Sequence, residues 1–303
     1  MGCATVLAPG TCGELVQGFL DGTHFLVTCP VNLYSRVSVA LCEGEPGIKG
    51  PRNCPKSAEA VRATLAHLGR ERLGAELTVE STLPRGKGMA SSTADVAGAV
   101  AATALALGTT LSPAEIARLA ISVEPSDGIM FPGIALFDHR QGSLHRELGP
   151  APPVDIVALD FGGSVDTVEF NKIDRKAMLC ECEGELREAL ELVHQGIASR
   201  DPSLVGRGAS ISALLNQRVL YRRQLDRVIA FGDSVGAVGV NVAHSGTVIG
   251  VLIDRRTGNG AAILEQARGI FPELEASYCL KLIGGGLEHS GESHDISAGC
   301  QGA

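Results

Sequence analysis

The run Pro84-Arg85-Gly86-Lys87-Gly88-Met89-Ala90-Ser91-Ser92-Thr93, continuing directly into an alanine-rich stretch that ends at Leu107, constrains this chain more than any other feature. An alternating run, Ala75 to Thr82, precedes it and predicts a strand. After it, Val96, Val100, Thr103 and Leu107 recur at helical spacing, and small residues on every side predict a buried helix. Ser91 to Ala94 then form a helix N-terminus, where free N–H groups and the helix dipole favour an anion. Glycines let backbone N–H groups approach phosphate oxygens, and Lys87 offers a countercharge. The segment is neither a Walker loop nor a Rossmann glycine fingerprint. The plainer alternative is a tight turn before a helix.

Elsewhere the first third is strand-rich, at Phe25 to Val31 and Tyr34 to Leu41, with an exposed Gly/Pro loop at Glu43 to Pro55 and a helix over Ser57 to Leu68. Ser112-Pro113-Ala114-Glu115 carries the signature of a capped helix start. After the prolines at 150–153 the pattern is strand (Val154 to Phe161), helices (Arg175 to Gln195, Ser203 to Gln217, Tyr221 to Phe231), strands (Gly236 to Val242, Thr247 to Ile253), helix (Ala261 to Phe271) and strand (Tyr278 to Ile283). That mixture predicts an α+β fold. The 303-residue length favours two lobes, 1–150 and 151–288, with a disordered polar tail at 289–303.

Composition excludes several classes. A net charge of −8 without any Lys/Arg-rich run argues against nucleic acid and anionic membranes as partners. No stretch approaches the roughly 20 apolar residues that span a bilayer, and the N-terminus lacks a basic region leading into an apolar one, so a cytoplasmic protein is expected. Nine scattered cysteines form no CxxC pair, which disfavours a metal cage or disulfide framework.

A bound triphosphate brings Mg2+, which takes oxygen ligands. Glu124 and Asp127, in the loop Val123-Glu124-Pro125-Ser126-Asp127-Gly128, are the best-placed carboxylates, although acids beside Pro or Gly also simply form turns. Near the N-terminus, Ala8 to Phe19 reads as a turn-rich edge that could line a site. Gly239 to Gly250 reads as a hairpin with a polar tip, His244-Ser245-Gly246, whose histidine is either a base or plain surface.

Taken in order, these segments resemble the three motifs of the GHMP kinase superfamily, with Pro84 to Ala94 as the second motif and Ala90 standing where that motif has glycine. T-C-G-E-L-V-Q-G at 11–18, K-G-M-A-S-S-T-A-D at 87–95, E-P-S-D at 124–127, L-F-D-H at 136–139 and N-V-A-H-S-G at 241–246 are similar to one branch, the L-threonine kinases of cobalamin assembly. The resemblance implies a two-lobed fold with ATP and acceptor sites in the cleft between lobes, ATP and Mg2+ as cofactors, and L-threonine as substrate. It implies a phosphate cradle at Pro84, Gly86, Lys87, Gly88, Met89, Ala90, Ser91, Ser92 and Thr93. Ser92 and Glu124 would ligate Mg2+, and Asp127 and Lys87 would be the catalytic pair. Glu14, Gln17, Asp127, His244, Ser245 and Gly246 would surround the acceptor, with Glu14 on its ammonium. Homoserine is the competing acceptor, and a catalytically silent ATP-binding sensor is the competing class.

Overall fold

The computed structural model describes residues 2–43, 46–165 and 176–289. Residues 290–303 of the expected disordered tail and Arg175, the expected start of a helix, lie outside these. Strands β1 (Cys3–Leu20) and β2 (Thr23–Cys42) form a long antiparallel hairpin. Its Asp21-Gly22 turn has φ of 49° and 82°, the left-handed pair that a tight hairpin needs.

β1 corrects the expectation of a turn-rich edge at 8–19. Pro9, Gly10 and Gly13 sit at register shifts between Pro9 and Gly10 and between Thr11 and Glu14, so the strand bends without leaving the sheet. Pairing with β2, and at Glu14 with β8, overrides the weak strand propensity of those residues. The two expected strands at 25–31 and 34–41 merge into β2.

There follow β3 (Ile48–Lys49), α1 (Pro55–His67), β4 (Gly74–Ser81), α2 (Ser91–Ala106) and α3 (Pro113–Val123). The expected capping box forms at α3: the Ser112 hydroxyl accepts the Glu115 N–H at 3.3 Å, and the Glu115 carboxylate accepts the Ser112 N–H at 2.8 Å. Two strands that the sequence reading did not anticipate, β5 (Ile134–Phe137) and β6 (His145–Gly149), lead to β7 (Val154–Asp160).

The helical segment expected up to Gln195 is broken at Glu181-Cys182 into α4 (Lys176–Cys180) and α5 (Glu183–Ser199). The remainder is α6 (Pro202–Asn216), α7 (Leu225–Ser234), β8 (Gly239–Val242), β9 (Ile249–Asp254), α8 (Gly260–Ile270), β10 (Ala276–Lys281) and β11 (Glu288–His289).

The described strands form one mixed sheet in the order β10-β7-β9-β8-β1-β2-β4-β3, with β5 also on β2 and β11 on β1. Helix α2 lies under β1 and β2, between α1 and α3, buried on every face as its small residues predict. At Gly98 a Cβ would come within 2.7 Å of Val37 Cγ2, so this helix sits on the sheet at a distance only a bare backbone allows. A second core joins β1, β2 and β7 to α5 and α6, and a third lies among β8, β9, α7 and α8. Among the described residues no helix is long and apolar enough to cross a membrane.

Candidate active site

Three chain segments meet through their backbones. From β1, Thr11 and Gly13 donate N–H bonds to the carbonyls of Met89 and Gly88, each at 3.2 Å. From the β8–β9 hairpin, Thr247 and Val248 donate to the carbonyl of Lys87 at 3.1 and 3.2 Å. Side chains lock the joint: Asn241 donates to the Cys12 carbonyl, and Gln17 Nε2 to the Val242 carbonyl at 3.1 Å.

Such close approach leaves no room for side chains. A Cβ on Gly246 would lie 2.3 Å from the Lys87 carbonyl oxygen, and one on Gly88 would lie 2.2 Å from the Ala243 Cβ. These two glycines therefore serve the packing of one motif on another.

The assembled segments enclose a cleft of about 660 Å³, open solvent at its mouth included. One wall is the start of α2. Ala90, its N-cap, has φ 54° and ψ 26° and no side chain caps the helix, so Ser91, Ser92 and Thr93 present the first turn to the cleft. Facing them is the loop 124–127, which leaves α3 at Glu124 in extended backbone.

Across the cleft the Ser92 hydroxyl donates to Glu124 Oε1, and Lys56, from the first turn of α1, donates to Glu124 Oε2. The Asp127 N–H reaches Thr93 Oγ1 at 3.3 Å. Burial and the neighbouring Glu124 charge push the Asp127 carboxyl up to about 7.

Behind the loop, Arg85 binds the Asn53 carbonyl, Cys54 Sγ and Asp95 Oδ2, whose other oxygen accepts from the Ser35 hydroxyl. Lys87 turns away from the cleft and pairs with Asp160 at 2.8 Å and Glu275 at 3.4 Å.

The opposite wall holds Glu14, His139, His244 and Ser245. Glu14 is 4% exposed, and burial, with Asp127 adding to it, raises its pKa well above the ordinary carboxyl value. Burial and Glu14 also push Cys12 up to about 12, which leaves that thiol unreactive.

The His244 imidazole is held neutral by burial, with His139, Arg140, His24 and Arg222 adding to the effect. Because Gln17 Oε1 is an acceptor, also engaged by Asn216 Nδ2, the His244 Nδ1 at 2.9 Å must be the donor. The tip bearing His244 is braced by Arg222, which donates to the carbonyls of Ala243 and, at 3.0 Å, Gly246. Burial lowers the Arg222 pKa to about 10.

A family model described as the GHMP kinases N terminal domain matches residues 55–133. An L-threonine kinase of Citrobacter freundii is 36% identical over 83% of this chain and 87% of its own length. The chain belongs to the GHMP kinase family. An L-threonine kinase of Salmonella typhimurium is 31% identical over 94% of this chain and 95% of its own. The crystal structure of a homoserine kinase from Cytophaga hutchinsonii superposes with a TM-score of 0.76 at 18% identity, covering 95% of this chain and 98% of that one, which shows the α+β GHMP kinase fold. As a member of the family the protein is an ATP-dependent small-molecule kinase.

For this GHMP kinase the cleft gathers Glu14, Gly86, Gly88, Met89, Ala90, Ser91, Ser92, Thr93, Glu124, Asp127, His244 and Ser245, all singled out in the sequence. Gln17 stands behind His244, Gly246 packs on the Lys87 carbonyl, and Pro84 opens the loop outside the cleft lining. Lys87 departs from expectation, because the buried Asp160 and the exposed Glu275 offer its ammonium an anionic seat outside the cleft. Sequence reasoning missed Lys56 and Arg222, which carry no local signal. It also gave no role to His139, although His139 lies within the quoted L-F-D-H segment.

Proposed function

We propose that this protein transfers the γ-phosphoryl group of ATP to the hydroxyl of L-threonine, giving O-phospho-L-threonine, a precursor of the aminopropanol linker of cobalamin. The observation that carries the reading is the meeting, in one cleft, of the Ser92–Glu124 pair with Asp127 and the buried Glu14. The likeness to two L-threonine kinases supports threonine as the acceptor.

The open N–H groups at the start of α2 and the backbone of Gly86 and Gly88 are suited to phosphate oxygens. A hydroxyl and a carboxylate oxygen are hard ligands that fit a divalent cation. Ser92 and Glu124 would hold Mg2+, which when bound neutralises charge on the phosphoryl oxygens. Lys56 keeps Glu124 turned toward Ser92.

Phosphoryl transfer requires mainly alignment and charge neutralisation. Asp127, brought to about 7, is matched to accepting the hydroxyl proton near neutral pH and orients that hydroxyl in the same contact. Glu14 meets the acceptor ammonium with a charge-assisted bond that an uncharged alcohol would not earn.

The test is a mass-shift assay with purified protein, ATP and magnesium, offering L-threonine, L-serine and L-homoserine in parallel. Phosphothreonine as the dominant product is expected. A strong preference for homoserine would overturn the substrate assignment, and nucleotide binding without any ADP release would overturn the kinase reading.

A further inference from the structure

His139 is 3% exposed and borders the cleft beside Glu14, Asp127 and His244. Among the described residues neither of its ring nitrogens, nor Glu14 Oε2, has a hydrogen-bond partner. Buried imidazoles in folded proteins satisfy their nitrogens, so a ring held in place with both unmet needs an explanation.

The ring is well held. Asp138 accepts N–H bonds from Arg140, Gln141 and Ser143 at 3.1 Å each, which fixes the turn, and the His139 carbonyl accepts the Ser126 N–H at 3.0 Å, which ties it to the Glu124–Asp127 loop. The ring also meets His244 edge-on, with centroids 5.0 Å apart.

We propose that His139 and Glu14 together receive the α-ammonium of the acceptor, so that this wall selects amino alcohols over alcohols without a charged amine. The proposal rests on the kinase reading above and names the class of acceptor that the site takes.

An ammonium offers three donors and no acceptor. Whichever nitrogen of the neutral His139 ring carries hydrogen, the other presents a lone pair, and Glu14 adds a carboxylate oxygen. An acceptor carboxylate or a phosphate is disfavoured at this wall, because it would add negative charge beside two buried carboxyl groups that already resist ionising. Proton abstraction from the hydroxyl is also disfavoured, since burial, with Arg140 and His24 adding to it, brings His139 down to about 3. Such a ring accepts a hydrogen bond at neutral pH but does not keep a proton.

The experiment compares kcat/KM for L-threonine and L-homoserine with that for 3-hydroxybutyrate and 4-hydroxybutyrate, the same alcohols without the amine. It uses the full chain and two variants, His139→Phe and His139→Asn. Phe keeps a ring against His244 and removes the lone pair, whereas Asn restores a short acceptor.

The expected result is that wild type prefers each amine-bearing substrate. His139→Phe should shrink that preference by about 10- to 100-fold, mainly through KM and with the KM for ATP unchanged. His139→Asn should recover part of it. An unchanged preference in folded His139→Phe overturns the role of His139. A wild type that does not distinguish the amine overturns the whole wall. Homoserine in place of threonine as best acceptor refutes the substrate assignment alone, and the amine preference then still tests His139.

Discussion

The two walls of the cleft contrast in how far they satisfy themselves. On the phosphate side Glu124 already has its partners, Ser92 and Lys56, and behind that wall Arg85 pairs with Asp95 and Lys87 with Asp160. On the acceptor side, Glu14 Oε2 and both nitrogens of His139 are buried without a partner among the described residues. Buried polar atoms are stable unpaired only at a free-energy cost. Under the proposed function, the contrast means that the first wall stays assembled as nucleotides come and go, while the second is completed by the acceptor.

The largest effect should follow from breaking the self-satisfied wall. Glu124→Ala removes the group joining Ser92 to Lys56 and should lower kcat/KM by about 10³-fold. Steady-state assays over a range of magnesium should show that excess metal does not restore it.

Asp127 stands where the walls meet, and Asp127→Asn should lower kcat by about 10²-fold or more if it takes the hydroxyl proton. Because its folded pKa is raised to about 7, wild-type kcat/KM should fall as pH drops through that value. Stability should respond with the opposite sign: between the unfolded carboxyl pKa and about 7 the folded protein binds the extra proton, so stability declines as pH rises through that window. Thermal melts at pH 8 should accordingly find Asp127→Asn more stable than wild type. Equal melting temperatures would mean that the carboxyl is not strained by its surroundings.

Moving the walls apart should have a comparable cost in rate. Gly246→Ala places a methyl group where the Lys87 carbonyl lies, 2.3 Å away, and displaces the His244–Gly246 tip from the phosphate loop. A displacement of about 1 Å in a reacting geometry is enough for a loss of about 10²-fold. ATP binding, measured separately by titration, should suffer less than turnover.

The smallest effect is at Ala90, a non-glycine residue in the left-handed region at φ 54°. Ala90→Gly relieves that conformation and should stabilise the fold by about 1 kcal/mol or less, the gain being offset by the greater freedom of glycine in the unfolded chain. Denaturant midpoints would register the difference. A lower midpoint for the variant would show that the Ala90 methyl group earns its place by packing.

Much of this architecture was legible because it is local. The strand, glycine loop and buried helix from residue 74 to 106 follow from short-range periodicity and the absence of bulky residues, and the Ser112–Glu115 box follows from spacing alone. Of the site, the phosphate loop and the Glu124–Asp127 acids were visible as residue types in a loop between elements. The resemblance supplied the order of the three motifs.

The rest depended on partners remote in sequence. Residues 8–19 looked like turns until two neighbouring strands took up their backbone hydrogen bonds. Lys56 meets Glu124 across 68 positions, and no local pattern encodes that meeting.

By itself, then, the sequence determined the local conformation of the segments with clear periodicity or capping, such as 74–106 and 112–115, and the inventory of glycines, hydroxyls and acids around the cleft, because periodicity and turn chemistry act over a few residues. The tertiary structure alone decided that Lys87 faces Asp160, that Gly88 and Gly246 join motif to motif, and that the unsatisfied ring of His139 faces the cleft. Burial, orientation and hydrogen-bond satisfaction are properties of the packed surroundings, which exist only once distant segments have met.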